Sequence, residues 1–234
     1  MAPPARDQRP HRGTDIREYR AIIGRVRLFV AEGAAMSKDS APAADTDVTS
    51  TGTGSTATLV DGATVQLRRL GPGDYDALIE LVETLTDRER YMRFFTMHPA
   101  FLDEWARSLT TPNADQYVLG VFEDDSLIAT ANYVMTSQPG YAEVAVLVAH
   151  LQHERGVGTA LLRALRLAAH RSGIHHLVAD VLAENHPLRK VVVDAGWPCT
   201  WHRGGTAFSI DLDLDAASSS ASLTADRNKQ IPKK

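Results

Sequence analysis

The stretch HERGVGTALL, His153 to Leu162, follows an apolar run from Val144 to Ala149 and opens a long helical pattern. It reads as strand, loop, glycine-rich turn and helix. Gly156 and Gly158 let the backbone approach a ligand with no Cβ in the way. The amides of a first helical turn have no intrahelical acceptors and lie at the positive end of the helix dipole, which suits a phosphate or pyrophosphate. The expected contacts are the backbone of Gly156, Val157, Gly158, Thr159 and Ala160, with Arg155 as a mobile positive charge at the mouth. Alone, a G-x-G before a helix is weak: the third glycine of the dinucleotide fingerprint is missing, and no lysine follows as in a P-loop.

Working outward, the helix extends to about Arg171 and ends at Gly173, a C′ glycine. Beyond it the pattern predicts a strand over His176 to Leu182, a short helix over Pro187 to Ala195, and a last strand over Ala207 to Leu212, with Cys199 in a loop. Upstream, strands over Gln116 to Phe122 and Leu127 to Thr136 flank the turn Glu123 to Ser126, and Tyr141 to Ala149 follows Gln138-Pro139-Gly140. Thr64 to Leu70 reads as a short strand. Asp74 is placed to cap a helix carrying Leu78, Leu81, Val82 and Leu85. Thr86 and Glu89 form a capping box for a second helix through Phe95, and Leu102 to Leu109 is a third. The fold class is α/β.

The chain has 234 residues, 25 Lys and Arg against 29 Asp and Glu, and a formal charge of -4, so nucleic acid is not an expected partner. A single cysteine excludes an internal disulfide. No apolar run approaches the roughly 20 residues of a membrane span. After the basic Arg6, Arg9, Arg12 and Arg17, the apolar stretch Val26 to Ala35 is broken by Arg27 and Glu32, unlike a secretory signal. A cytoplasmic protein with no membrane partner is expected. The run from Ser37 to Thr58 is nearly all Ala, Ser, Thr, Gly and Asp, too polar to offset the entropy of ordering. The expected organisation is a mostly disordered segment over 1–58, one domain over 59–215, and a disordered tail over 216–234. Ile16 to Ala31 has weak helical spacing; alternatively, translation begins at Met36.

The run Arg155 to Leu162 resembles the acetyl-CoA signature of the GNAT superfamily of N-acyltransferases, Q/R-x-x-G-x-G/A. Glu184-Asn185 some way downstream and Ala195-Gly196-Trp197 resemble the family's closing element. Tyr91-Met92-Arg93-Phe94-Phe95, Ala142 to Val146 and Ala183-Glu184-Asn185 resemble a bacterial subgroup that acetylates lysines of other proteins. The resemblance implies a mixed, splayed β-sheet with helices on both faces, acetyl-CoA as acyl donor, and a monomer or homodimer. It also implies an acceptor that is a protein lysine or, in a second reading, a small amine. A non-catalytic acyl-CoA sensor is the alternative from another class.

A lysine amine must lose its proton before it attacks a thioester, and Glu143 is the candidate base, flanked by Tyr141, Ala142, Val144 and Ala145. It lies one residue closer to the glycine motif than in histone-type acetyltransferases, which a β-bulge in its strand offsets. The resemblance implies that the amides of Val146 and Val148 hold the pantetheine arm, that Asn185 bonds it or caps a helix, and that Arg189 or Lys190 reaches a phosphate. His153 stands where the family has Gln or Arg, and Val192 where many members carry a tyrosine acid. The histidines show no ligand spacing, so no metal is expected.

Overall fold

The structure, a computed structural model, describes residues 48–51, 54–94, 96, 98–185, 188–189, 191–192, 197–204 and 207–216. Its strands are β1 (Val48–Thr51), β2 (Gly54–Thr58), β3 (Thr64–Arg69), β4 (Gln116–Glu123), β5 (Ser126–Met135), β6 (Tyr141–Val148), β7 (His176–Leu182), β8 (Cys199–Gly204) and β9 (Ala207–Asp213). Its helices are α1 (Tyr75–Glu83), α2 (Asp87–Phe94), α3 (Leu102–Thr110) and α4 (Val157–Arg171). The strands form one sheet in the order β1-β2-β3-β4-β5-β6-β7-β9-β8. Every neighbouring pair is antiparallel except β6 and β7, the pair joined through α4.

The expected strands and helices appear close to the expected bounds, because alternation and helical spacing record which face each element buries. On β6, Ala142, Val144, Val146 and Val148 join the core beneath α4, whereas Ala145, Leu147 and Ala149 pack with α1 and α3 on the other face. The helices therefore cover both sides of the sheet, as the resemblance implied. The capping box holds: the Thr86 amide donates to Glu89 Oε2 at 2.7 Å and the Glu89 amide to Thr86 Oγ1 at 3.3 Å. Asp74 occupies the N-cap of α1, but its carboxylate turns back to accept from the Gly71 amide at 2.8 Å and from Arg68.

Three expectations are corrected. The sheet begins before residue 59: β2 pairs with β3 over Ser55 to Thr58, and Ala57 is buried in the main core. One apolar side chain in five suffices once two backbone ladders hold the strand, so polar composition alone misplaced this boundary. Cys199 lies on a strand, since β8 pairs with β9 over six residues. Finally, β6 carries no bulge: its register with β5 is continuous from Ala142 to Val148, and the irregularity falls between Val121 and Phe122 on β4. The proposed helix over residues 16–31 and the expected tail after residue 216 lie outside the described residues, as does part of the helix expected over 187–195. Among the described residues, no helix is long and apolar enough to cross a membrane.

Candidate active site

The sheet opens beside β6. β7 pairs with it only from Tyr141 to Glu143, while β6 continues to Val148 on its other partner, β5. A strand edge deprived of its partner leaves amides and carbonyls that need new ones. The Ala149 amide donates to Ile128 on the β5 side at 2.9 Å. Successive residues point their N–H groups to opposite edges, so the amides of Val146 and Val148 face the divergent side. That edge offers its free donors and acceptors to an added extended chain.

The glycine loop closes the far end. Gly156 caps α4 in the left-handed region, with φ 84°, and an added Cβ would lie 3.1 Å from Val60 Cγ2. Glycine is required there both for its backbone and for this close approach. Glu154 is also left-handed, at φ 64°, a strained conformation for a residue with a side chain. The Ala160 amide already donates to the Gly156 carbonyl at 3.0 Å, so Ala160 drops out as an expected phosphate donor. The amides of Val157, Gly158 and Thr159 precede the first intrahelical bond and are the ones positioned for an anion.

Arg155 is not the mobile charge that the sequence suggested. Its Nη atoms donate to Glu123 at 2.7 and 2.8 Å, its Nε donates to Asp61 at 2.5 Å, and it also donates to Gln152. Its carbonyl accepts from the Val60 amide at 3.0 Å. The β2–β3 turn and the β4–β5 turn are thus fastened to the glycine loop through one side chain. Glu123 and Asp61 raise the Arg155 pKa further above its already high value, and both carboxyls are held below their ordinary range by it.

At the other end, Glu143 is the last β6 residue paired with β7 and stands at the vertex of the opening. It is half-buried. Alternation turns it towards the face covered by α1 and α3, and its surroundings are not purely apolar: the Arg93 guanidinium of α2 interacts with its charge. Arg93 is 1% exposed, and its Nε and Nη1 have no hydrogen-bond partner. Phe94 and Trp105 rings lie 5.4 and 5.5 Å from its guanidinium carbon. Burial lowers the Arg93 pKa to about 9, with Glu143 opposing the shift. The sequence did not single out Arg93. Its one signal is a position four residues after Glu89, on the same helical face, within the aromatic run at 91–95.

Asn185 is fully buried and its Oδ1 accepts from the Leu188 amide at 3.2 Å, the capping role. Arg189 lies over the rings of Trp201 and Phe208, at 5.7 and 5.4 Å, on the β8–β9 hairpin. Lys190 lies outside the described residues. Val192 is 0% exposed within the core, so no acid stands at the family's tyrosine position. His153, at the first position of the signature, is buried, with Nε2 3.3 Å from the Val148 carbonyl oxygen. Burial lowers its pKa, favouring the neutral ring. His150, read in sequence as one of several histidines without ligand spacing, meets Glu89 with Nδ1 to Oε1 at 2.8 Å.

A splayed parallel pair beside a helix N-terminus presented by a glycine loop is the arrangement that the resemblance to acyl-CoA-dependent transferases implied. The sequence profile of the acetyltransferase (GNAT) domain matches residues 64–197, and the chain belongs to this family of acetyl-CoA-dependent N-acetyltransferases. Among solved structures, the GNAT domain of S. lividans PAT is similar with 28% identity and a TM-score of 0.64, covering 68% of this chain and 96% of that one. The PaiA N-acetyltransferase of Thermoplasma acidophilum, in complex with coenzyme A, shares the fold at 17% identity and TM-score 0.50, over 64% of this chain and 99% of that one.

Proposed function

We propose that this acetyltransferase modifies lysine side chains of other proteins by direct transfer, with Glu143 as the general base. The observation that carries this reading is the place of Glu143 at the vertex where β6 and β7 part. The carboxylate there takes a proton from the acceptor ammonium. The neutral amine attacks the thioester carbonyl, and a backbone amide of β6 stabilises the tetrahedral oxyanion. Collapse breaks the carbon–sulfur bond and leaves the CoA thiolate. With Val192 in place of a tyrosine, water protonates that thiolate, which the acidity of thiols allows. The amides of Val146 and Val148 hold the pantetheine arm, and those of Val157, Gly158 and Thr159 hold the pyrophosphate.

The lysine acceptor rests on the motifs at 91–95, 142–146 and 183–185 and on the likeness to the GNAT domain of S. lividans PAT. The test is thiol release from acetyl-CoA with lysine peptides, comparing wild type with Glu143→Gln. Loss of a general base lowers kcat by roughly 100-fold or more while acetyl-CoA affinity holds. Equal turnover of both proteins would remove Glu143 from the mechanism. Turnover only on small amines would redirect the acceptor and keep the base.

A further inference from the structure

Glu89, His150 and His153 come from α2, from the turn after β6 and from the glycine loop, and their side chains converge on one point. Glu89 Oε1 is 2.8 Å from His150 Nδ1 and 3.7 Å from His153 Nε2. The three ligand atoms all lie within 4.8 Å of one another. In a tetrahedral site with metal–ligand distances of about 2.0–2.2 Å, ligand atoms are about 3.3–3.5 Å apart. The observed spacings bracket that value, so small side-chain rotations bring all three onto one ion.

We propose that these residues form a binding site for a divalent cation of the zinc class, separate from the acetyl-transfer chemistry. Two imidazoles and a carboxylate suit zinc or another late first-row ion rather than magnesium or calcium, which favour oxygen ligands. Glu89 and His153 are buried, whereas the His150 side chain is 46% exposed, which leaves the fourth position open to water. The outer partners are already in place: Glu89 Oε2 accepts from the Thr86 amide at 2.7 Å and from Thr86 Oγ1 at 2.9 Å, fixing the carboxylate that presents Oε1. Coordination takes the His153 tautomer with its proton on Nδ1, so that the Nε2 lone pair faces the ion rather than the Val148 carbonyl. An ion here ties α2, which carries Arg93, to the loop that leads into Gly156.

The second convergent group, His170, His175 and Asp215, is exposed throughout, and the Asp215 carboxylate already meets both imidazoles, at 3.0 and 3.2 Å. It serves as the internal control. The experiment titrates cobalt(II) into the chelator-treated, untagged full chain and follows the visible d–d bands of four-coordinate cobalt. Bands are expected near one equivalent, with zinc displacing cobalt. Each of His150→Gln and His153→Gln weakens cobalt binding by about tenfold or more, while the double variant His170→Gln, His175→Gln leaves it unchanged. His150 is half-exposed, so its variant folds even where a change at buried His153 does not; circular dichroism checks both. Bands that survive His150→Gln and disappear in the His170/His175 double variant would overturn the proposal. So would the absence of any bands at a large cobalt excess.

Discussion

Two arginines bracket the cleft and are treated in opposite ways. Arg155, at the cofactor end, satisfies its guanidinium with Glu123, Asp61 and Gln152 at a site still reached by solvent. Arg93, beside Glu143, is fully buried and leaves Nε and Nη1 without a partner. An ion pair at the surface gives little stability, but several bonds converging on one fork fix geometry. A buried charge with unpaired donors costs on the order of several kcal/mol, and such groups persist where function holds them. The contrast assigns rigidity to the glycine loop and stored electrostatic cost to the neighbourhood of Glu143.

The strongest way to break this contrast is Arg93→Met, which keeps much of the volume and removes the charge. Activity is expected to fall about tenfold in kcat, because the carboxylate opposite loses its counter-charge. The acid limb of the pH–rate profile moves to higher pH, and the thermal midpoint holds or rises, since a buried cation with two unpaired nitrogens is removed. A large drop in midpoint with an unmoved pH profile would make Arg93 a packing residue only. Arg155→Ala comes next. It frees both turns from the loop and is expected to weaken acetyl-CoA binding severalfold, with kcat nearly unchanged; isothermal titration and steady-state kinetics separate the two. An unchanged affinity would show that the loop holds its shape without the clamp.

The smallest effect is on acidification. Glu123 and Asp61 have folded values below their ordinary ones, with Arg155 as the leading cause in each case. For a carboxyl depressed in this way, the stabilising contribution is complete above the unfolded value of about 4 and is lost as pH falls through the folded value. Acetyl-CoA affinity measured from pH 7 down towards 4 should therefore begin to weaken at the acid end in wild type. In Arg155→Ala that part of the slope disappears.

Much of this organisation was legible in the sequence. The turn at Gly156, the capping box of Thr86 and Glu89, and the apolar runs of β4, β5 and β6 are local signals, each set by neighbours a few residues away. The position of Glu143 and of Val146 and Val148 on one strand was legible too, although the register of that strand was not. What escaped involves distant partners. Arg155 meets residues 94 and 32 positions away, and His150 meets Glu89 across 61. No periodicity encodes such pairs. The early start of the sheet escaped for a related reason: β2 is held by its ladder to β3 rather than by its own composition.

From the sequence came the α/β class, the glycine turn that opens the long helix and the capping box before α2, because these follow from backbone conformation and from which face a side chain must bury. The tertiary structure alone decided that Arg155 is a clamp, that Arg189 lies over Trp201 and Phe208, and that Arg93 is buried near Glu143 with Nε and Nη1 unpaired. A charged side chain has no fixed role in a linear chain. Its role is set by the dielectric and the partners that folding places around it.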